Sequence, residues 1–266
     1  MGTGLSGDEV EYLASCGEGI GGVVMEEIKV KNLIKNYLID GNKKNTIRVL
    51  RGLDITVEQG EFIAVMGKSG CGKTTLLKIL GLIDQPTAGE ILFMGKNTKE
   101  LYPDELADIR RNRIGFVFQD FYLMDSISVE ENIMLPMILG KKKSDEMKKV
   151  VRQYAERFEI SHLLEKNPYE LSGGEKQRTA ICRALVNSPD IILADEPTGN
   201  LDSKSGQIVV EALKSINQDL KKTIVMVTHD PQMASVTQRV IYMKDGIIMR
   251  ELKGKKIDLS SIMALA

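Results

Sequence analysis

Apolar positions along the chain follow two different periods. Residues 26–34, EEIKVKNLI, and 46–57, TIRVLRGLDITV, have the alternation and β-branched content of half-buried strands. The polar turn EQG at 58–60 leads into a short continuous apolar run, EFIAVM at 61–66, which predicts a buried strand. IGFVFQ at 114–119, DIILAD at 190–195 and TIVMVTH at 223–229 are of strand length and too uniformly apolar for a sheet with one wet face. They predict parallel strands covered on both sides. In RVIYMKDGIIMREL, 239–252, the KDG at 244–246 signals a closing hairpin.

Between Gln119 and Leu171 the period lengthens. Ser128 and Glu131 have the spacing of a capping box, and Met147, Val150, Val151, Tyr154 and Phe158 recur at helical intervals as a core-facing stripe. TLLKILGLI at 75–83 is also helical by composition. The pattern predicts an α/β core over residues 25–250, a helical insertion at about 120–170, and a C-terminal tail over 251–266. Residues 1–24 carry seven of the 24 glycines and show no periodicity. They are expected to form a disordered tail.

Composition removes several function classes. Thirty-six basic against 37 acidic residues leave a net charge of -1, so no nucleic-acid partner is expected. Cys16, Cys71 and Cys182 are far apart and lack metal-ligand spacing, which predicts neither a disulfide framework nor a zinc site. No apolar run approaches the roughly 20 residues that cross a bilayer, so any membrane path has to be supplied by another chain.

The candidate chemistry sits where strands end. GKSGCGKT at 67–74, between EFIAVM and a helical run, fits the spacing in which glycines admit backbone N–H groups to phosphates, a lysine neutralises them and a hydroxyl holds Mg²⁺. Gly67, Lys68, Ser69, Gly70, Cys71, Gly72, Lys73, Thr74 and Thr75 are the nucleotide-binding candidates. The Cys71 thiol would lie among those N–H groups, which favour the reactive thiolate. Asp195 ends IILAD and is a candidate for the Mg²⁺ shell with Thr74. Glu196 follows it and is assigned to the attacking water. Gln119 and His229 end two other apolar runs and are candidates for the metal or water and for a terminal phosphate. His162 reads as a surface residue. A second glycine turn, LSGGEKQR at 171–178, opens another helical stretch and poses the question of which anion it serves.

GKSGCGKTT, Gln119, LSGGEKQR, ILADEP, GNLD at 199–202 and His229 together resemble the ATP-binding cassette (ABC) ATPases in order and approximate spacing, over residues 25 to about 250. The resemblance implies a P-loop NTPase core with a mostly parallel sheet, an N-terminal antiparallel β subdomain and a helical insertion. It implies ATP with Mg²⁺, and a head-to-tail dimer in which Ser172, Gly173 and Gly174 of one copy meet the γ-phosphate held by the other. By position it also implies Tyr37 stacking on adenine, Gln119 as the metal- and water-sensing residue, Glu196 as general base, and Asp202 in the loop between the two sites.

Within the family, DQPTAGEI, FQDFYLMDSISVEENIMLP, ADEPTGNLDSKSG and MVTHDPQMAS look similar to the macrolide-export and lipoprotein-release branch, and within it to bacitracin-export ATPases. That likeness implies a subunit at the cytoplasmic face of the membrane, powering a separate integral membrane permease in export of, or resistance to, antimicrobial peptides. A regulatory module similar to the cell-division ATPase, signalling through a membrane partner without transport, carries the same motifs. FYLMDS at 121–126 and the helices after it are the expected docking surface for the permease.

Overall fold

The computed structural model describes residues 25–39, 42–254 and 257–264; the expected disordered tail, 1–24, lies outside the described residues. The chain opens with β1 (Glu26–Ile39), β2 (Asn42–Glu58), β3 (Phe62–Met66), α1 (Lys73–Leu80), β4 (Ala88–Phe93) and β5 (Lys96–Asn97). It continues through α2 (Pro103–Asn112), β6 (Ile114–Val117), α3 (Val129–Leu139), α4 (Ser144–Arg157), α5 (Gly173–Leu185) and β7 (Ile191–Asp195). It closes with α6 (Ser203–Gln218), β8 (Thr223–Thr228), α7 (Pro231–Ala234), β9 (Arg239–Lys244), β10 (Ile247–Lys253) and α8 (Leu259–Met263).

Two sheets form. One is antiparallel, in the order β2-β1-β4-β5. The other runs β10-β9-β3-β8-β7-β6 and is parallel from β9 to β6, with β10 turned back against β9 by the KDG hairpin. Asp245 and Gly246 supply the two positive φ angles, 47° and 79°, that a two-residue hairpin turn demands.

The uniformly apolar strands are buried on both sides, as their composition requires. Phe62, Ala64, Met66, Ile192, Ala194, Ile224 and Met226 face one core, with residues of α3 to α6. Ile63, Val65, Ile191, Leu193, Val225 and Val227 face the other, with α1 and the antiparallel sheet. A period of two thus splits each strand between two hydrophobic layers.

The helical stretch forms as its pattern dictates. Ser128 Oγ accepts from Glu131 N at 3.2 Å, and Ser128 N donates to Glu131 Oε2 at 2.8 Å, closing the box at the start of α3. Val151 and Phe158 are buried, with Met147, Val150 and Tyr154 packed beside them. His162 is exposed. The C-terminal expectation needs correction: β10 runs through the boundary at 250, and after it α8 packs against α7 with Ile257 and Ile262 buried. Two isoleucines five positions apart in a polar stretch are enough to dock it, a signal too sparse for a periodicity reading.

Candidate functional site

Parallel strands deliver their C-terminal ends to one edge of the sheet, and the loops leaving them converge there. Met66 ends β3, Val117 ends β6, Asp195 ends β7 and Thr228 ends β8. The residues that follow, the 67–75 loop, Gln119, Glu196 and His229, therefore meet although they are scattered along the chain. Ser69, Gly70, Gly72, Lys73, Thr74 and Thr75, with Gln119, Glu196, His229 and Val49 of β2, line a cavity of about 670 Å³.

The loop can be this tight only with glycine at two points. A Cβ on Gly67 would lie 2.2 Å from the Met243 carbonyl oxygen, and Gly72 caps α1 at φ 105°, a region L-residues rarely adopt. Lys73 is 7% exposed, and its Nζ donates to the carbonyls of Gly67 (2.7 Å) and Lys68 (3.2 Å). A buried ammonium bonded to two backbone carbonyls fits a bound phosphate. Cys71 departs from the expectation of a reactive thiol: its side chain packs in the core with β3 and α1 and is 6% exposed. A small apolar side chain gains more from that core than from the polar side.

Thr74 Oγ1 donates to Asp195 Oδ1 at 3.1 Å. Burial raises the Asp195 carboxyl above the usual aspartate range; the Thr74 bond opposes this, and the Glu196 charge adds to it. A desolvated carboxylate beside a hydroxyl fits a hard divalent cation, which would neutralise it. Glu196 adopts φ 44°, unusual for a residue with a side chain, its N–H held by the Val227 carbonyl at 2.9 Å. Such strain is of the order of 1–3 kcal/mol and persists where the surroundings impose it. It directs Glu196 Oε2 to His229, at 2.9 Å from Nδ1 and 3.3 Å from the backbone N–H.

Tyr37 is not among the residues lining the cavity. Its hydroxyl donates to Asp84 Oδ2 at 2.6 Å, and Lys35 Nζ lies 4.7 Å from the ring centroid. Burial first, and then Asp84, push its phenol pKa up.

Ser172, Gly173 and Gly174 also lie outside the cavity lining. They open α5 and face the next loop: a Cβ on Gly173 would come 3.1 Å from Leu201 Cδ2, and one on Gly174 3.0 Å from Ser205 Cβ. Ser172 and Glu175 form a capping box, with Ser172 N and Oγ donating to Glu175 Oε2 at 2.8 and 2.7 Å, which holds the Glu175 carboxyl below the usual range. The S-x-x-E spacing for it stands in the sequence. Asp202 caps α6, accepting from Lys204 N and Ser205 N at 3.0 Å each.

Two further residues shape the site, Arg183 with no sequence signal of its own and Asn200 within the GNLD stretch at 199–202. Arg183 of α5 donates to the carbonyls of Phe121 and Tyr122, both at 2.5 Å, and holds these residues at φ 60° and 47° just past Gln119. Asn200 pairs with Gln119, whose Nε2 donates to Asn200 Oδ1 at 3.0 Å.

A glycine loop between a buried parallel strand and a helix, with a hydroxyl–carboxylate pair and an oriented glutamate at neighbouring strand ends, defines a P-loop nucleotide hydrolase. The chain belongs to the ABC transporter family, whose profile matches residues 50–199. It is 46% identical to the ABC transporter ATP-binding protein YxdL of Bacillus subtilis, over 85% of this chain and 86% of that one. It is 44% identical to the bacitracin export ATP-binding protein BceA of Halalkalibacterium halodurans, over 86% and 89%. Against the macrolide export ATP-binding/permease protein MacB of Psychrobacter arcticus the identity is 43% over 86% of this chain, which spans 34% of that longer protein. The solved dimer of the ABC transporter cassette MJ0796, from Methanocaldococcus jannaschii, matches with a TM-score of 0.79 and 42% identity, covering 86% of this chain and all (100%) of that one. The same cassette in a post-hydrolysis state with ADP and Pi also matches with a TM-score of 0.79. The protein is an ABC-type ATPase with the fold its motifs imply.

Proposed function

We propose that this chain is the motor of a transporter that protects against cell-wall-directed antimicrobial peptides, working as a head-to-tail dimer on an integral membrane permease. The observation that carries the dimer is the separation described above. The phosphate loop and catalytic pair share one cavity, while Ser172, Gly173 and Gly174 of the same chain lie outside its lining. A second copy can bring its own signature to that cavity, and Asp202 stands in the loop beside it.

In this reading Lys73 and the N–H groups of the 67–75 loop bind the ATP phosphates, and the adenine stacks on Tyr37. Thr74 and Asp195, with the amide oxygen of Gln119, would hold Mg²⁺, which offsets the charge of the β- and γ-phosphate oxygens. Glu196 takes the proton from the attacking water and His229 fixes the Glu196 carboxylate while reaching the γ-phosphate. Among the described residues no helix is long and apolar enough to cross a membrane. Attachment at the cytoplasmic face would therefore come through the permease. Exposed Tyr122, Met124, Ile138 and Leu139 supply apolar surface for that contact.

The peptide substrate class rests on the likeness to BceA. Co-expression with a bacitracin-export permease of a similar system, in a bacitracin-sensitive host, tests the assignment. The wild-type pair is expected to raise the inhibitory bacitracin concentration several-fold and the Glu196→Gln pair to leave it unchanged. Undiminished sensitivity in cells whose extracts hold the active ATPase would remove the peptide assignment.

A further inference from the structure

We infer that Asn200 is a positioning residue that decides which end of the Gln119 amide faces the nucleotide cavity. Asn200 Nδ2 lies 3.2 Å from the Gln119 backbone carbonyl and 3.0 Å from Asp120 Oδ1. A carbonyl and a carboxylate only accept, so the Asn200 NH₂ must occupy that side. Its Oδ1 is thereby turned to the Gln119 side chain, 3.0 Å away, and only the Nε2 end of Gln119 can meet it. The chain of constraints starts from groups whose polarity is fixed and ends by orienting one whose polarity is not.

The consequence is at the cavity that Gln119 lines. With Nε2 committed to Asn200, Oε1 is the end left to offer to a cation or a water. The two ends of a glutamine amide are nearly identical in shape, so without Asn200 nothing local prevents the amide from turning and presenting a donor to a positive charge. The neighbouring backbone is shaped for the same contact: a Cβ on Gly199 would lie 2.9 Å from Gln119 Nε2 and 3.0 Å from its Cδ. Gly199 and Asn200 thus form one surface against the Gln119 side chain.

This inference rests on the proposed role of Gln119 Oε1 at Mg²⁺, and a double-mutant cycle separates the two. Wild type, Asn200→Ala, Gln119→Ala and the double variant are compared in full-length protein for the Mg²⁺ concentration giving half-maximal turnover at saturating ATP. Thermal stability is measured alongside. Asn200→Ala is expected to raise the Mg²⁺ requirement about 5-fold, with the melting temperature nearly unchanged and ATP affinity in EDTA as in wild type. In the Gln119→Ala background the same substitution is expected to change the requirement by less than about 2-fold. If Gln119→Ala is too slow to follow, the cycle is read as the Mg²⁺ dependence of ATP affinity. A Gln119→Ala protein with an unaltered Mg²⁺ requirement sinks both the role of Gln119 and this inference. A Gln119→Ala protein with a raised requirement, on which Asn200→Ala still acts in full, overturns the inference and leaves the role standing.

Discussion

Thr74, on the first turn of α1, donates its hydroxyl to Asp195, the last residue of β7, across 3.1 Å. The bond joins the phosphate loop to the carboxylate at the end of β7; burial raises the Asp195 pKa, and the Thr74 bond opposes that rise. A folded-state pKa above the unfolded one means the native chain prefers the proton. The stabilising effect of that proton is complete below the ordinary aspartate pKa and is lost as pH rises through the raised one. Asp195→Asn should therefore increase the melting temperature of nucleotide-free, metal-free protein at pH 7, on a scale of about 2–4 °C per kcal/mol relieved. The gain should shrink as pH falls towards the ordinary aspartate range. Scanning fluorimetry at neutral pH and at about pH 4, near the ordinary aspartate pKa, checks this; a variant less stable at pH 7 would show that the carboxylate is not strained there. MgATP turnover should fall at the same time.

Lys73 and Glu196 should separate binding from chemistry. Lys73→Ala removes a charge-assisted phosphate contact worth about 1.5–3 kcal/mol, so ATP affinity should drop roughly 10- to 100-fold by calorimetry. Glu196→Gln keeps the shape, binds ATP normally and should slow turnover by about 10²-fold or more. Size-exclusion chromatography should show it as an ATP-bound dimer. Near-normal turnover would take Glu196 out of the base role.

Mixing two inactive variants locates the signature. Lys73→Ala and Ser172→Arg each spoil both sites of a homodimer. In a mixed dimer with shared sites, one interface collects both defects and the other joins an intact glycine loop to an intact signature. ATP-dependent association or turnover should then recover in mixed dimers isolated through two affinity tags. No recovery, from verified mixed dimers, would mean that Ser172 serves its own chain's nucleotide.

Arg183 holds Phe121 and Tyr122 in left-handed conformations through two charge-assisted bonds. Arg183→Ala should lower the melting temperature by several degrees, from a loss of about 2–3 kcal/mol. Arg183→Lys, a point charge without the planar fork, should recover only part of it. Full recovery by lysine would show that charge alone, and not the geometry, holds the turn.

Truncation after Lys253 should destabilise the protein. Ile257 and Ile262 are buried in the core shared with α7, and burial of one such side chain is worth about 1.5–3 kcal/mol. A fall of about 5 °C or more in melting temperature is expected. An unchanged value would restore the reading of this segment as a tail.

The sequence by itself determined the features whose causes lie within a few residues. The apolar runs became β3, β6, β7 and β8, KDG became the hairpin, Ser128 and Glu131 became a cap, and GKSGCGKT became the loop between β3 and α1. Each follows from side-chain period, φ preference or a local hydrogen bond, all of which act along the chain. The motifs already grouped Thr74 with Asp195 as metal candidates, whereas the direct contacts between polar groups came from the tertiary structure. Thr74 and Asp195 are 121 positions apart and Gln119 and Asn200 are 81 apart, and their pairing follows from a strand order that sets β8 between β3 and β7 and leaves β6 at the edge. It also decided that Cys71 turns inward, that α8 docks through two isoleucines, and that Ser172 stands outside the cavity its own chain builds. Those outcomes depend on volumes left between packed layers, and a one-dimensional pattern of apolar and polar residues does not encode such volumes.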